Sequence, residues 1–183
     1  MKALDRFIQR WRMRQAMRFI PAAARVIDVG AHEGELFAAL GDRLDRGFGI
    51  EPLRKDTLSA ANFTIAPGFF PAVRPAEGGW DAVTMLAVLE HVPTKEQPAL
   101  AAACHALLKP GGRVIITVPA KAVDHILAVL RFLRLIDGMS LEEHYGFEPA
   151  DTPRIFAAPQ FRLLHRSRFQ GGLNHLFVFE RSA

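Results

Sequence analysis

The segment Arg25-Val26-Ile27-Asp28-Val29 runs straight into Gly30-Ala31-His32-Glu33-Gly34, and a stretch with Leu36, Phe37 and Leu40 on one side follows over about 34–42. A short continuous apolar run of this kind reads as a strand buried on both faces. Entering a helix through a tight glycine turn, it opens a strand-helix-strand unit whose next strand lies parallel in the same sheet, reached by a right-handed crossover. The alternation continues. Phe48-Gly49-Ile50-Glu51 is a second strand, halted by Pro52, and residues 53–61 read as a short helix. Phe63-Thr64-Ile65 is a third strand, and the Pro- and Gly-rich stretch 66–79 is loop. Trp80–Leu86 is a fourth strand, and a helix over about 95–108 ends at the turn Lys109-Pro110-Gly111-Gly112. Arg113–Val118, rich in β-branched residues, is the fifth. Strands alternating with helices across 25–118 predict a mostly parallel α/β sheet with helices on both faces.

The tail departs from this pattern. After a helix near 122–136 and a short one near 151–158, strands at about 161–168 and 173–180 are joined by Gln170-Gly171-Gly172. So short a connection makes a hairpin, which sets one final strand antiparallel to the rest. The 183 residues suffice for one domain with a full core, and the 50% hydrophobic content excludes a mostly disordered chain. Residues 1–20 form a basic helical arm or lid, with residues 21–183 a single domain carrying an insertion at about 120–150. Six basic side chains stand in the arm against Asp5 alone, so the remainder of the +4 chain sums to about −1. That balance argues against a nucleic-acid-binding body. A lone cysteine, Cys104, excludes an internal disulfide, and the seven histidines show no metal-ligand spacing, so no metal is expected. With no long apolar run and arginines throughout the N-terminus, the expectation is a cytoplasmic protein.

Ligands of open parallel sheets sit beyond the carboxyl ends of the strands, which points to the turn after the first strand. A dinucleotide fingerprint starting at Gly30 would need glycines where His32 and Glu35 stand. A phosphate-binding loop from the same glycine would need a lysine where this chain has Glu35-Leu36-Phe37. Gly30 and Gly34 still let the backbone approach a ligand, and the helix after them offers free N–H groups to an anion. At the end of the second strand, Glu51 can accept both hydroxyls of a ribose.

Four segments, in order, resemble class I S-adenosylmethionine-dependent methyltransferases, closest to the branch that includes quinone-pathway enzymes. They are Val26 through Gly34, Gly49-Ile50-Glu51-Pro52, Trp80-Asp81-Ala82-Val83 continuing through Leu86-Ala87-Val88-Leu89-Glu90-His91-Val92, and Leu107 through Arg113. The resemblance implies a Rossmann-like seven-stranded sheet with an antiparallel last strand, and S-adenosyl-L-methionine as cofactor. Asp28 and Gly30 would lie near its methionine end, with His32 and Gly34 in the same turn. Glu51, followed by Pro52, would hold the ribose, and Leu86 and Ala87 would line the pocket floor. His32 stands where the family often has a third glycine. The loop after the third strand, Gly68-Phe69-Phe70-Pro71, lacks the acid that often meets the adenine amine, so Phe69 either packs on the adenine or belongs to the core.

Methyl transfer from a sulfonium is a direct displacement, so alignment in a dry pocket carries much of the catalysis, and an oxygen or carbon nucleophile also needs a base. His91 is the candidate base; the alternative is a hydrogen bond to neighbouring backbone. In the family the insertion after the fifth strand generally covers the substrate, which makes His144 and Tyr145 candidates for substrate binding. The expected acceptor is a small or lipid-like molecule rather than nucleic acid. Catalytically silent cofactor binding, as in a regulatory partner subunit, is the alternative. The basic arm and the apolar helix near 122–136 together suggest peripheral contact with anionic lipid, or caps over the active site, and that helix is also a candidate homodimer surface.

Overall fold

The computed structural model describes residues 3–120 and 148–183. In chain order the elements are α1 (Ala3–Met17), β1 (Ala24–Val29), α2 (Glu35–Leu40), β2 (Leu44–Glu51), β3 (Leu58–Ser59), β4 (Phe63–Pro67), β5 (Trp80–Leu86), α3 (Gln97–Leu107), β6 (Leu108–Pro119), α4 (Thr152–Ile155), β7 (Phe161–Phe169) and β8 (Asn174–Arg181). The strands form one sheet in the order β3-β4-β2-β1-β5-β6-β8-β7. Strand β1 pairs in parallel with β2 and β5, β2 with β4, and β5 with β6. The final strand β8 runs antiparallel to both β6 and β7, as the short hairpin connection requires.

Period-2 alternation decides which side chains meet which helices. Val26, Ala82, Ile115 and Val178 pack with Met13 and Ala16 of α1 and Leu36, Phe37 and Leu40 of α2. Their neighbours Ile27, Val83, Met85, Ile116 and Phe177 point the other way, onto Leu100, Cys104 and Leu107 of α3, with Ile155 of α4 alongside. The arm is thereby part of the core. Arg113 donates to the Phe19 carbonyl at 2.8 Å, Arg43 donates to the Met17 carbonyl at 3.0 Å, and Gln170 donates to the Ile8 carbonyl at 3.2 Å.

Two expectations need correction. Residues 53–61 form a turn and the two-residue strand β3, not a helix, which makes the sheet eight-stranded rather than seven-stranded. The Glu51 carboxylate captures the Leu53 N–H, and Leu58–Ser59 pairs antiparallel with β4, so local helix preference yields to edge pairing. The Lys109–Gly112 turn lies inside β6. Between the pairs Trp80–Leu108 and Ala82–Arg113 the register slips, and those residues bulge from the ladder. The expected helix near 122–136, His144 and Tyr145 fall outside the described residues.

Trp80 anchors the end of the sheet opposite the site. It is fully buried, donates to the Glu77 carbonyl at 2.7 Å and carries the Arg25 guanidinium 4.7 Å from its ring centre. Trp80→Ala is expected to cost about 3–5 kcal/mol, read as a lower midpoint in urea denaturation. Ligand binding by the molecules that remain folded should be unchanged.

Candidate functional site

The site is built at the carboxyl ends of β1, β2, β4 and β5. Strand β1 delivers Asp28, 5% exposed, whose carboxylate accepts the Thr84 hydroxyl at 2.5 Å. Burial raises the Asp28 pKa to about 7; the Thr84 hydrogen bond opposes the rise, and the nearby charges of Glu35 and Glu51 add to it. The chain then turns at Gly30, whose φ of +80° suits glycine and whose Cβ, if present, would lie 2.7 Å from Val88. His32 takes φ +47°, the left-handed conformation that a glycine would adopt at no cost. Its ring meets the Glu35 carboxylate at 2.8 Å, which ties the strained residue to the next helix.

The start of α2 is not an open anion site. The N–H of Glu33 is taken by the Glu35 carboxylate at 3.1 Å and that of Gly34 by the Ala31 carbonyl at 2.7 Å. Burial, the largest single influence, acts to raise the Glu35 pKa, but its own amide, the His32 ring and the Glu33 amide together hold it low. A ligand carboxylate therefore meets a negative side chain here, and a cation must come from elsewhere. It comes from α1. Arg12 lines a cavity of ≈50 Å³ together with Asp28, Gly30, His32 and Leu86, and with Gln9, Met13, Ala31, Glu35 and Leu36. Its Nε is buried without a hydrogen-bond partner, and burial lowers the guanidinium pKa against the opposing pull of Glu90. A cavity of this size accepts a small polar group with a water, not a nucleoside.

Glu51 stands one strand over, 8% exposed. One carboxylate oxygen accepts the His32 N–H at 2.9 Å, and the other accepts the Leu53 N–H at 3.0 Å. A carboxylate offers about four acceptor positions, so both oxygens retain capacity for a ligand's hydroxyls. Two large apolar side chains stand in the open after these strands: Leu53 at 81% exposure, after β2 and Pro52, and Phe69 at 72%, after β4. Phe70 packs against the core, but Phe69 does not.

The remaining expected residues serve the framework or stand apart. Gly34, at φ +86°, leaves room for the Phe63 ring, 3.1 Å from where a Cβ would lie. Ala87 is strained at φ +61°, donates to the Thr117 carbonyl at 2.8 Å, and does not line the cavity beside its neighbour Leu86. His91, on the turn after β5, is exposed and is not among the cavity's lining residues. Among the described residues no group of three or more His, Cys, Asp or Glu could hold a metal ion, and no helix is long and apolar enough to cross a membrane. Sequence reasoning missed Arg12 and Leu53. The first was one arginine of five in a basic arm, and the second sat in an expected helix. The one available signal for Arg12 was its place on the same side of α1 as the apolar Met13 and Ala16.

The chain belongs to the methyltransferase domain family, whose model matches residues 2–166. It is 33% identical over 119 residues to the ubiquinone biosynthesis O-methyltransferase of Pseudomonas aeruginosa, covering 60% of this chain and 50% of that protein. The Azotobacter vinelandii protein of the same name is 33% identical over 117 residues, with 63% and 44% covered. The chain thus spans about half the length of the curated relatives it matches. Among solved structures, the N-methyltransferase NodS of Bradyrhizobium japonicum superposes with a TM-score of 0.70 at 15% identity, covering 96% of this chain and 97% of that one. The 1,6-didemethyltoxoflavin-N1-methyltransferase of Burkholderia thailandensis, solved with S-adenosylhomocysteine, gives 0.65 at 18% identity, with 94% and 79% covered. Those two likenesses establish the fold.

The raised pKa of Asp28 sets a pH dependence. Folding favours its protonated form, so between the unfolded value of 3.8 and the folded value of about 7 the native state binds more protons. Stability from this group is complete below pH 4 and is lost as pH rises through 7. Asp28→Asn should therefore melt higher than wild type at pH 8, and the difference should vanish at pH 4. Thermal melts of both proteins across that range check the sign.

Proposed function

We propose that this protein is an S-adenosylmethionine-dependent methyltransferase acting on a small-molecule or lipid-like acceptor. The observation that carries the proposal is the Glu51 carboxylate, held by the His32 and Leu53 amides at the end of β2, one strand from a cavity containing Arg12 and Asp28. The donor set fits the cofactor group by group. Glu51 would accept the ribose hydroxyls, Leu53 and Phe69 would cover the adenine faces, and Arg12 would pair with the methionine carboxylate. Asp28, ionised, would receive the ammonium. When bound, the cofactor supplies an electrophilic methyl group on a sulfonium.

Each residue has a physical task in this scheme. The Arg12 guanidinium, whose Nε is buried without a hydrogen-bond partner, would gain a charge-assisted pair. Asp28, whose pKa burial raises, would be stabilised as a carboxylate by a cation. Leu86, with α1 overhead, keeps water from the methionine end. We assign His91 the removal of the acceptor's proton, which its exposed position lets it pass to solvent. The arm is the lid, since α1 supplies Arg12 and Met13 to the cavity.

Calorimetric titration with S-adenosylmethionine and S-adenosylhomocysteine, with NADH as control, tests the assignment. Binding should be micromolar and specific to the sulfur nucleosides. Glu51→Ala should weaken it tenfold or more, about 1.4 kcal/mol. Arg12→Met should weaken S-adenosylhomocysteine comparably while leaving 5′-methylthioadenosine, which lacks the amino-acid end, unaffected. No binding by folded wild-type protein would overturn the proposal.

A further inference from the structure

The outer surface of α1 has no part in the scheme above, yet it is the most basic stretch of the chain. Arg6, Arg10 and Arg14 recur every fourth residue, which aligns them along one side of the helix. All three are exposed, and they line a groove of ≈450 Å³ that runs between α1 and α2. The groove's floor is apolar, with Met13, Met17 and two alanines of α2, Ala38 and Ala39. The acid that faces it, Glu35, is engaged by the His32 ring and the Glu33 amide. Beside the arginines stand two aromatic rings, Phe7 and Trp11, 5.7 Å apart edge to face, with Phe7 57% exposed.

An arginine row, adjoining aromatic rings and an apolar trough on one helix are what an interfacial helix needs. The guanidinium groups meet anionic head groups, the rings sit at the boundary, and the apolar surface receives acyl chain. We propose that α1 docks the protein on a bilayer containing anionic phospholipid, with head-group phosphates along Arg6, Arg10 and Arg14 and the Phe7 and Trp11 rings in the interface. Two observations favour a membrane over a nucleic acid. The chain beyond residue 20 sums to about −1, so the excess positive charge that would hold a polyanion is confined to the arm. The groove also shares Gln9, Met13 and Glu35 with the Arg12 cavity, so a surface bound along it lies beside the site.

Docking requires neither cofactor nor turnover, so it stands or falls separately from the methyl-transfer reading. The test is co-sedimentation of the full chain with vesicles of phosphatidylcholine alone and of phosphatidylcholine with phosphatidylglycerol, and titration with a single-stranded oligonucleotide. Binding should need phosphatidylglycerol and weaken with salt. An arginine near an anionic surface contributes roughly fivefold (about 1 kcal/mol), so Arg10→Gln with Arg14→Gln should reduce vesicle affinity about 25-fold. Phe7→Ser should lower affinity without changing the salt dependence. Both are exposed positions, and circular dichroism confirms that each variant is folded. Equal binding to the two vesicle types, binding indifferent to the arginine substitutions, or tighter binding to the oligonucleotide would each overturn the proposal.

Discussion

The Glu51 carboxylate fastens together the two loops from which the site is made. One oxygen holds the His32 amide in the turn after β1, and the other holds the Leu53 amide in the turn after β2. Neither loop has regular structure of its own, although the Gly30 and Ala31 amides already tie the first to the Ile50 carbonyl of β2. A charged acceptor with two amide donors is stronger than a neutral pair. It therefore adds a second tie that sets the spacing of the two loops beyond the ladder. The arrangement also fixes where a ligand's hydroxyls must come, because only the outward lone pairs of the same oxygens remain.

Strain and buried polarity collect at this end of the sheet. His32 and Ala87 take left-handed conformations without being glycine, and each is restrained, His32 through Glu35 and Ala87 through the Thr117 carbonyl. Asp28, Glu51, Thr84, Glu90 and Thr117 are buried where β1, β2, β5 and β6 end. Around Trp80, at the opposite end, the ion pairs of Arg25 and Arg46 with Glu77 lie in partial solvent exposure. Some of this strain and burial lies where ligand groups can offset it, which is the usual relation between strain and function.

The alternation of strands and helices was readable from the sequence because buried strands such as Val26–Val29 and Val114–Val118 are short, apolar and bounded by glycine or proline. Asp28, Gly30 and Glu51 were readable as candidates because each sits where an apolar run stops. The edge was not readable. Residues 53–61 are polar enough for a surface helix, and only the free edge of β4 and the grip of Glu51 on Leu53 make them turn and strand instead. Arg12 was hidden for a related reason: its neighbours in sequence are also arginines, and what distinguishes it is the sheet beneath it.

That distinction gives α1 two duties. Arg12 and Met13 line the cavity beside Asp28, and Met13 and Ala16 pack on the sheet. Arg6, Arg10 and Arg14 line the groove toward α2. Gln170 holds the helix at the Ile8 carbonyl and Arg43 at the Met17 carbonyl. The same helix thus closes the Arg12 cavity and carries the arginine row that lines the neighbouring groove.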